Sequence, residues 1–107
     1  MHAVLITFDS EIPVGDLEAP FTDYAHALRS IPGLLSKAWI HDADQNTLGG
    51  FHLFESATAA VDYLESDLVA GLQATDGFDN FDVRHFDVLS GYSAVTGVGD
   101  LVPLAGR

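Results

Sequence analysis

With 107 residues, 48% of them hydrophobic and none a cysteine, the chain suits one packed domain. The missing thiols exclude disulfide frameworks, thiolate nucleophiles and cysteine-based metal sites. Its 16 acidic against 4 basic side chains, a formal charge of -12, repel nucleic acid and anionic membranes, and no apolar run reaches the roughly 18 residues of a membrane span, so a soluble cytoplasmic protein without either partner is expected.

His2 to Phe8 is rich in β-branched and apolar residues and reads as a buried strand that stops at Asp9 and Ser10. Val14, Leu17, Phe21, Tyr24, Ala25 and Leu28 then recur at spacings of three and four, the mark of one helix face. Pro20 lies inside that pattern: with Asp16 as the cap it falls near the first turn, where its missing N–H costs nothing, whereas a much earlier start would make it costly. Ser30-Ile31-Pro32-Gly33 ends the helix. Leu34 to His41 alternates, with Leu35, Lys37, Trp39 and His41 expected on one face and Leu34, Ser36, Ala38 and Ile40 on the other. Asp42 to Asn46 is a polar turn, and Thr47 to Phe54 returns as the second arm of a hairpin. Gly49-Gly50 inside that arm points to a bulge or to close approach by another group.

Ser56 is the expected N-cap of a second helix that turns Ala60, Val61, Leu64, Leu68 and Leu72 inward and closes around Gly71 and Ala74 to Gly77. A last strand runs from about Phe78 to Leu89, with Phe81, Val83, His85 and Asp87 on one face and Asp82, Arg84, Phe86 and Val88 on the other. The folded domain is therefore expected over residues 1–89. Residues 90–107, with four glycines and no clear period, read as a loose tail or an arm crossing to a partner.

The order strand, helix, hairpin, helix, strand specifies an α+β domain of the ferredoxin-like βαββαβ kind: a four-stranded antiparallel sheet with both helices on one face. All four strands carry apolar residues on both sides, so the uncovered face needs a cover. A second copy of the sheet supplies one, and a homodimer is the expected assembly.

Pro32-Gly33, Lys37 and Trp39 two apart, Gly49-Gly50, Phe54, Tyr63-Leu64-Glu65 and Phe86-Asp87-Val88 together resemble the YdhR-like monooxygenases. These form a branch of the dimeric α+β barrel superfamily that includes antibiotic-biosynthesis monooxygenases. The resemblance extends to Val88, and the tail after Ser90 departs from it. It implies a homodimer whose two sheets close into a barrel, with a pocket between each sheet and its helices. Relatives oxidise phenolic polycyclic substrates with O2 and no bound metal or flavin; others isomerise lactones, cyclise polyketides or bind haem.

A cofactor-free oxygenase must deprotonate a phenol or enol, steady the anion in a dry pocket and admit O2. His52, flanked by Phe51, Leu53 and Phe54, is the candidate base; Trp39 and Lys37 are candidates to orient the oxyanion. Trp39 equally suits an interface anchor, and Lys37 a strand-end cation. Phe51, Phe54, Tyr24, Tyr63, His41 and His85 are the candidate substrate-binding walls, with ordinary packing as the competing role. His2 and His26 read as peripheral. No metal ligand set is assigned, because the helical spacing of two histidines found in many such sites is missing. The expected function is thus a cofactor-independent monooxygenase acting on a phenolic, aromatic or polyketide-like molecule, without cofactor. The alternatives are a non-redox polyketide cyclase or lactone isomerase using the same pocket, or a non-catalytic ligand-binding dimer.

Overall fold

The computed structural model describes residues 1–107. Strand β1 (His2–Ser10) leads through a short 3-10 turn (Val14–Leu17) into helix α1 (Glu18–Leu28), followed by the hairpin β2 (Leu34–Asp42) and β3 (Thr47–Phe54). Helices α2 (Ala57–Leu64) and α3 (Asp67–Gln73) precede β4 (Phe78–Asp87), α4 (Ser90–Val95) and a terminal 3-10 turn (Leu104–Gly106). The strands form one antiparallel sheet in the order β2-β3-β1-β4, the ferredoxin-like arrangement.

Val4, Ile6 and Phe8 alternate along β1 and point to the helix side, where they meet Leu34, Leu48 and Phe54 from the hairpin and Leu28, Tyr63 and Val69 from the helices. Full burial of each such side chain contributes roughly 1.5–3 kcal/mol, which makes this layer the main source of stability.

Three local features differ from the expectation. The single second helix is two, because Ser66 caps a new start: its Oγ accepts from the Val69 N–H at 3.4 Å, as Ser56 Oγ accepts from the Ala59 N–H at 3.1 Å. Gly71 consequently lies inside α3 instead of ending a helix. Asp16 is not the cap of α1; Leu17 holds that position without a side-chain bond, and the 3-10 turn supplies the entry. Pro20 does fall in the first turn of α1.

In β2 the pairing register shifts between Leu34 and Ser36, so Leu35 is an inserted residue. Leu34 therefore joins the helix-side core while Leu35 packs on the opposite face with Ala3 and Leu53, and the helix-side set becomes Leu34, Lys37, Trp39 and His41. Of the two readings of Gly49-Gly50, close approach is the one observed. The ladder irregularities sit elsewhere, at Thr7–Asp9 and Leu34–Ser36, whereas a Cβ on Gly49 would strike the Ile6 carbonyl oxygen.

Beyond β4 the chain folds back on itself. Val98 and Leu101, with Met1 and Val88, cover Ala3, Leu35 and Leu53 at one end of the outer sheet face. The Arg107 guanidinium donates to the Leu35 carbonyl at 3.3 Å and to the Val102 carbonyl at 2.9 Å. Elsewhere on that face Ile40 and Phe51, and on the edge strand Phe86 beside Ala3, are each 40–41% exposed. No helix is long and apolar enough to cross a membrane.

Candidate active site

The β2–β3 register sets Lys37 opposite His52 and Trp39 opposite Gly50, all on the helix side. Helices α1 and α2 bring Tyr24 and Tyr63 over them. The result is a small cavity whose walls include Ile6, Phe21, Tyr24, Lys37, Trp39 and His52. The space open to the centre of a water-sized sphere is about 20 Å3, enough for one water. Its lining contains no carboxylate.

His52 is 1% exposed. Its Nδ1 lies 3.0 Å from the Val4 carbonyl oxygen, which can only accept, so Nδ1 carries the proton and donates. In the neutral ring Nε2 then carries the lone pair, and no protein group donates to this buried atom. Burial first, and then the charge of Lys37, pull the imidazole pKa down from 6.5 to about 4. The resting site thus holds a neutral histidine with its tautomer fixed by the backbone.

Lys37 extends across the ring of Trp39, its Nζ 3.8 Å from the ring centroid and 5.0 Å from that of Tyr24. Burial lowers its pKa from 10.5 to about 8, which leaves it mostly charged at neutral pH. The aromatic faces compensate only part of the lost hydration. Gly50 makes this course open: a Cβ there would strike Lys37 Cε and approach His52 Cε1 to 3.0 Å. The Tyr24 and Tyr63 hydroxyls share a hydrogen bond of 2.7 Å. Burial is the main cause that raises both phenol pKa values.

Of the residues expected from sequence, His52, Lys37, Trp39, Tyr24 and Tyr63 converge on this cavity. Phe54 does not line it; it is fully buried behind His52, with ring centroids 6.2 Å apart. Phe51 points to the outer face, where it pairs with Leu5 and Ala38, because alternation places it opposite to His52. His41 is exposed near the β2–β3 turn, in a separate depression with Asp42 and Ser10.

His85 stands at the β4 edge. It forms a chain with His2 and Asp87: His2 Nδ1 to Asp87 Oδ1 and His2 Nε2 to His85 Nδ1 are both 3.1 Å. His2, expected to be peripheral, is therefore buried and doubly hydrogen-bonded. No three His, Asp or Glu side chains converge in a metal-binding arrangement.

Phe21 and Gly50 line the cavity without having been singled out as site residues. The signal for Phe21 was its place three residues before Tyr24 on the same helix face. For Gly50 it was the pairing with Trp39, which needs the hairpin register.

A family model described as "Putative mono-oxygenase ydhR" matches residues 4–98. No curated protein matches the chain. Among solved structures, the chain resembles SnoaB, a cofactor-independent oxygenase from Streptomyces nogalater, with TM-score 0.65 and 13% identity over 81% of this chain and 91% of that one. It resembles Rv0793 from Mycobacterium tuberculosis with TM-score 0.59 and 19% identity over 83% and 95%. A mutant of MhuD with two manganese protoporphyrin IX groups bound per active site gives TM-score 0.64 and 19% identity, also over 83% and 95%. At such identities these likenesses establish the fold alone.

Proposed function

We propose, from the premise that this chain belongs to the ydhR mono-oxygenase family, that it is a cofactor-independent monooxygenase acting on a phenolic or enolisable aromatic molecule at the Lys37–His52 cavity. The observation that carries the reading is His52: a buried imidazole held as a single tautomer by Val4, with an Nε2 that no protein group engages, in a cavity with an ammonium that has no carboxylate partner. Such a pair accepts a proton on one side and an oxyanion on the other.

A pKa of about 4 makes the resting imidazole a weak base. The weakness is partly set by Lys37, and an anion forming beside Lys37 offsets that repulsion and attracts the new imidazolium. Proton transfer is therefore coupled to substrate ionisation inside the cavity. The resulting carbanion or phenolate is electron-rich enough to reduce O2. For a ring methylene set between two aryl groups and acidified by a carbonyl across the ring, as in anthrone, the carbon loses two hydrogens and gains one oxygen atom. The second oxygen leaves as water, and the substrate supplies all the electrons. Tyr24, Trp39 and Phe21 supply the aromatic walls, half-buried or, for Trp39, 40% exposed in the free protein, so a bound substrate completes the exclusion of water from the anion.

The same reading includes a homodimer formed through the outer sheet face. Ile40, Phe51 and Phe86 are apolar side chains on that face which a monomer leaves 40–41% exposed, while the tail covers Ala3 and Leu53 in the row beside Phe86. Oxygen-electrode assays with anthrone and hydroquinone, in the presence of a chelator and without added flavin, test the reaction. Uptake of one O2 per anthrone converted, lost in His52→Gln, supports it. Conversion without O2 uptake would move the site to cyclase or isomerase chemistry.

A further inference from the structure

The Lys37–His52 chamber has room for about one water, an order of magnitude below the about 300–1,000 Å3 of typical small-molecule sites. A much larger groove, about 460 Å3 by the same measure, runs beside it between α1 and α3. The two share three walls: Phe21, Tyr24 and Leu72. Phe21 is the partition, its ring centroid 5.1 Å from Trp39 on the chamber side and 6.4 Å from Phe78 on the groove side. It is only partly buried, so its ring has room to move, and a turn away from Trp39 would thin the wall between the two spaces.

The groove is apolar along Leu17, Pro20, Leu68 and Phe78, and its charged lining residues are Asp16 and Asp67. It contains no cation. An anionic body is repelled there, while the chamber beyond it holds the only ammonium. The charge pattern therefore divides one ligand into two parts: an uncharged, apolar body in the groove and an ionisable oxygen in the chamber.

Gly71 also lines the groove, from within α3. A Cβ built there meets no atom within 4 Å. Packing between protein groups does not require a glycine at this position, and its torsion is not in the left-handed region. Gly71 is exposed at the edge of the groove, and as a glycine it keeps that edge free of a side chain at a cost in helix propensity.

We infer that the α1–α3 groove takes the uncharged polycyclic body of the substrate, and that Gly71 determines the ligand size it admits. The inference rests on the chamber being the reactive site. Gly71→Leu tests it without disturbing the fold, since the new side chain enters empty space and improves the helix; Tm is expected to rise by about 4 °C. Binding is read by calorimetry and by quenching of Trp39, the only tryptophan. Gly71→Leu is expected to weaken anthrone, with three fused rings, at least tenfold and to change hydroquinone, with one ring, less than twofold.

Equal affinities of wild type and variant for anthrone, or equal losses for both probes, would overturn the assignment. Wild type that binds both probes without O2 uptake, with the size split intact, would remove the oxygenase reading and leave the groove assignment standing. Wild type that binds neither would overturn both.

Discussion

Lys37 and His52 face each other across the β2–β3 ladder, and both are held back from carrying charge: burial holds the ammonium near a pKa of about 8, and burial with that ammonium holds the imidazole near about 4. For Lys37 the folded pKa lies below the unfolded 10.5. Its contribution is favourable above 10.5 and is lost as pH falls to about 8, so at neutral pH the burial cost is fully present. A shift of that size corresponds to about 3 kcal/mol, an upper bound given the partial exposure of the side chain. Lys37→Met is therefore expected to raise stability at pH 7 by about 1–2 kcal/mol while abolishing oxygenase activity. Denaturant melts and O2 uptake on the same preparation check both; a variant less stable than wild type would contradict the assigned cost.

His52 gives the lower arm of the pH profile. Its folded pKa of about 4 lies below the unfolded 6.5, so its contribution is complete above 6.5 and is lost as pH falls towards 4. The loss amounts to about 3 kcal/mol over that window. Carboxylates also titrate at its acid end, so the quantity to measure is the difference between wild type and His52→Gln. The variant's stability is expected to fall less steeply between pH 6.5 and 4; parallel curves would show that the imidazole is not buried neutral.

Removal of the base tests the chemistry directly. His52→Gln is expected to reduce kcat about 10²–10⁴-fold, the usual range for a general base, with a smaller effect on KM. Loss of affinity with kcat intact would make His52 a binding residue.

Gly50 offers a way to move Lys37 without replacing it. A Cβ at position 50 displaces the far end of the lysine, which is flexible, and presses on His52 Cε1. Gly50→Ala is expected to cost about 1 kcal/mol or less in stability but at least tenfold in kcat, because the ammonium leaves the Trp39 face. Gly49→Ala is the contrasting case, since its Cβ meets the rigid Ile6 carbonyl, and it is expected to unfold the chain at ambient temperature.

These contrasts show which parts of the molecule can be read from sequence. The βαββαβ order followed from periodicity because each element carries a full apolar stripe, and His52, Lys37 and Trp39 fall together because strand pairing preserves the two-residue alternation. Phe51 was misplaced as a wall by reading neighbours in sequence as neighbours in space; in a strand, adjacent residues face opposite sides. The bulge at Leu35 and the break at Ser66 each depend on one residue choosing between two local geometries of similar energy, which periodicity cannot decide. The α1–α3 groove is still less legible, because a cavity is what two packed helices leave unfilled.

The outer sheet face carries the last test. Phe51, 40% exposed at the centre of β3, lies on the same face as the equally exposed Ile40 and Phe86, and these are the apolar side chains assigned to the second copy. A charge there meets water in a monomer and apolar surface in a dimer, so Phe51→Glu separates the two cases. Wild type is expected to sediment at twice the chain mass and Phe51→Glu at the chain mass. The buried helix-side core does not include Phe51, so the variant's circular dichroism should remain that of a folded α+β domain. A wild-type protein that sediments as a monomer at all accessible concentrations would leave these side chains without their proposed cover, and would make the chamber a site built by one chain alone.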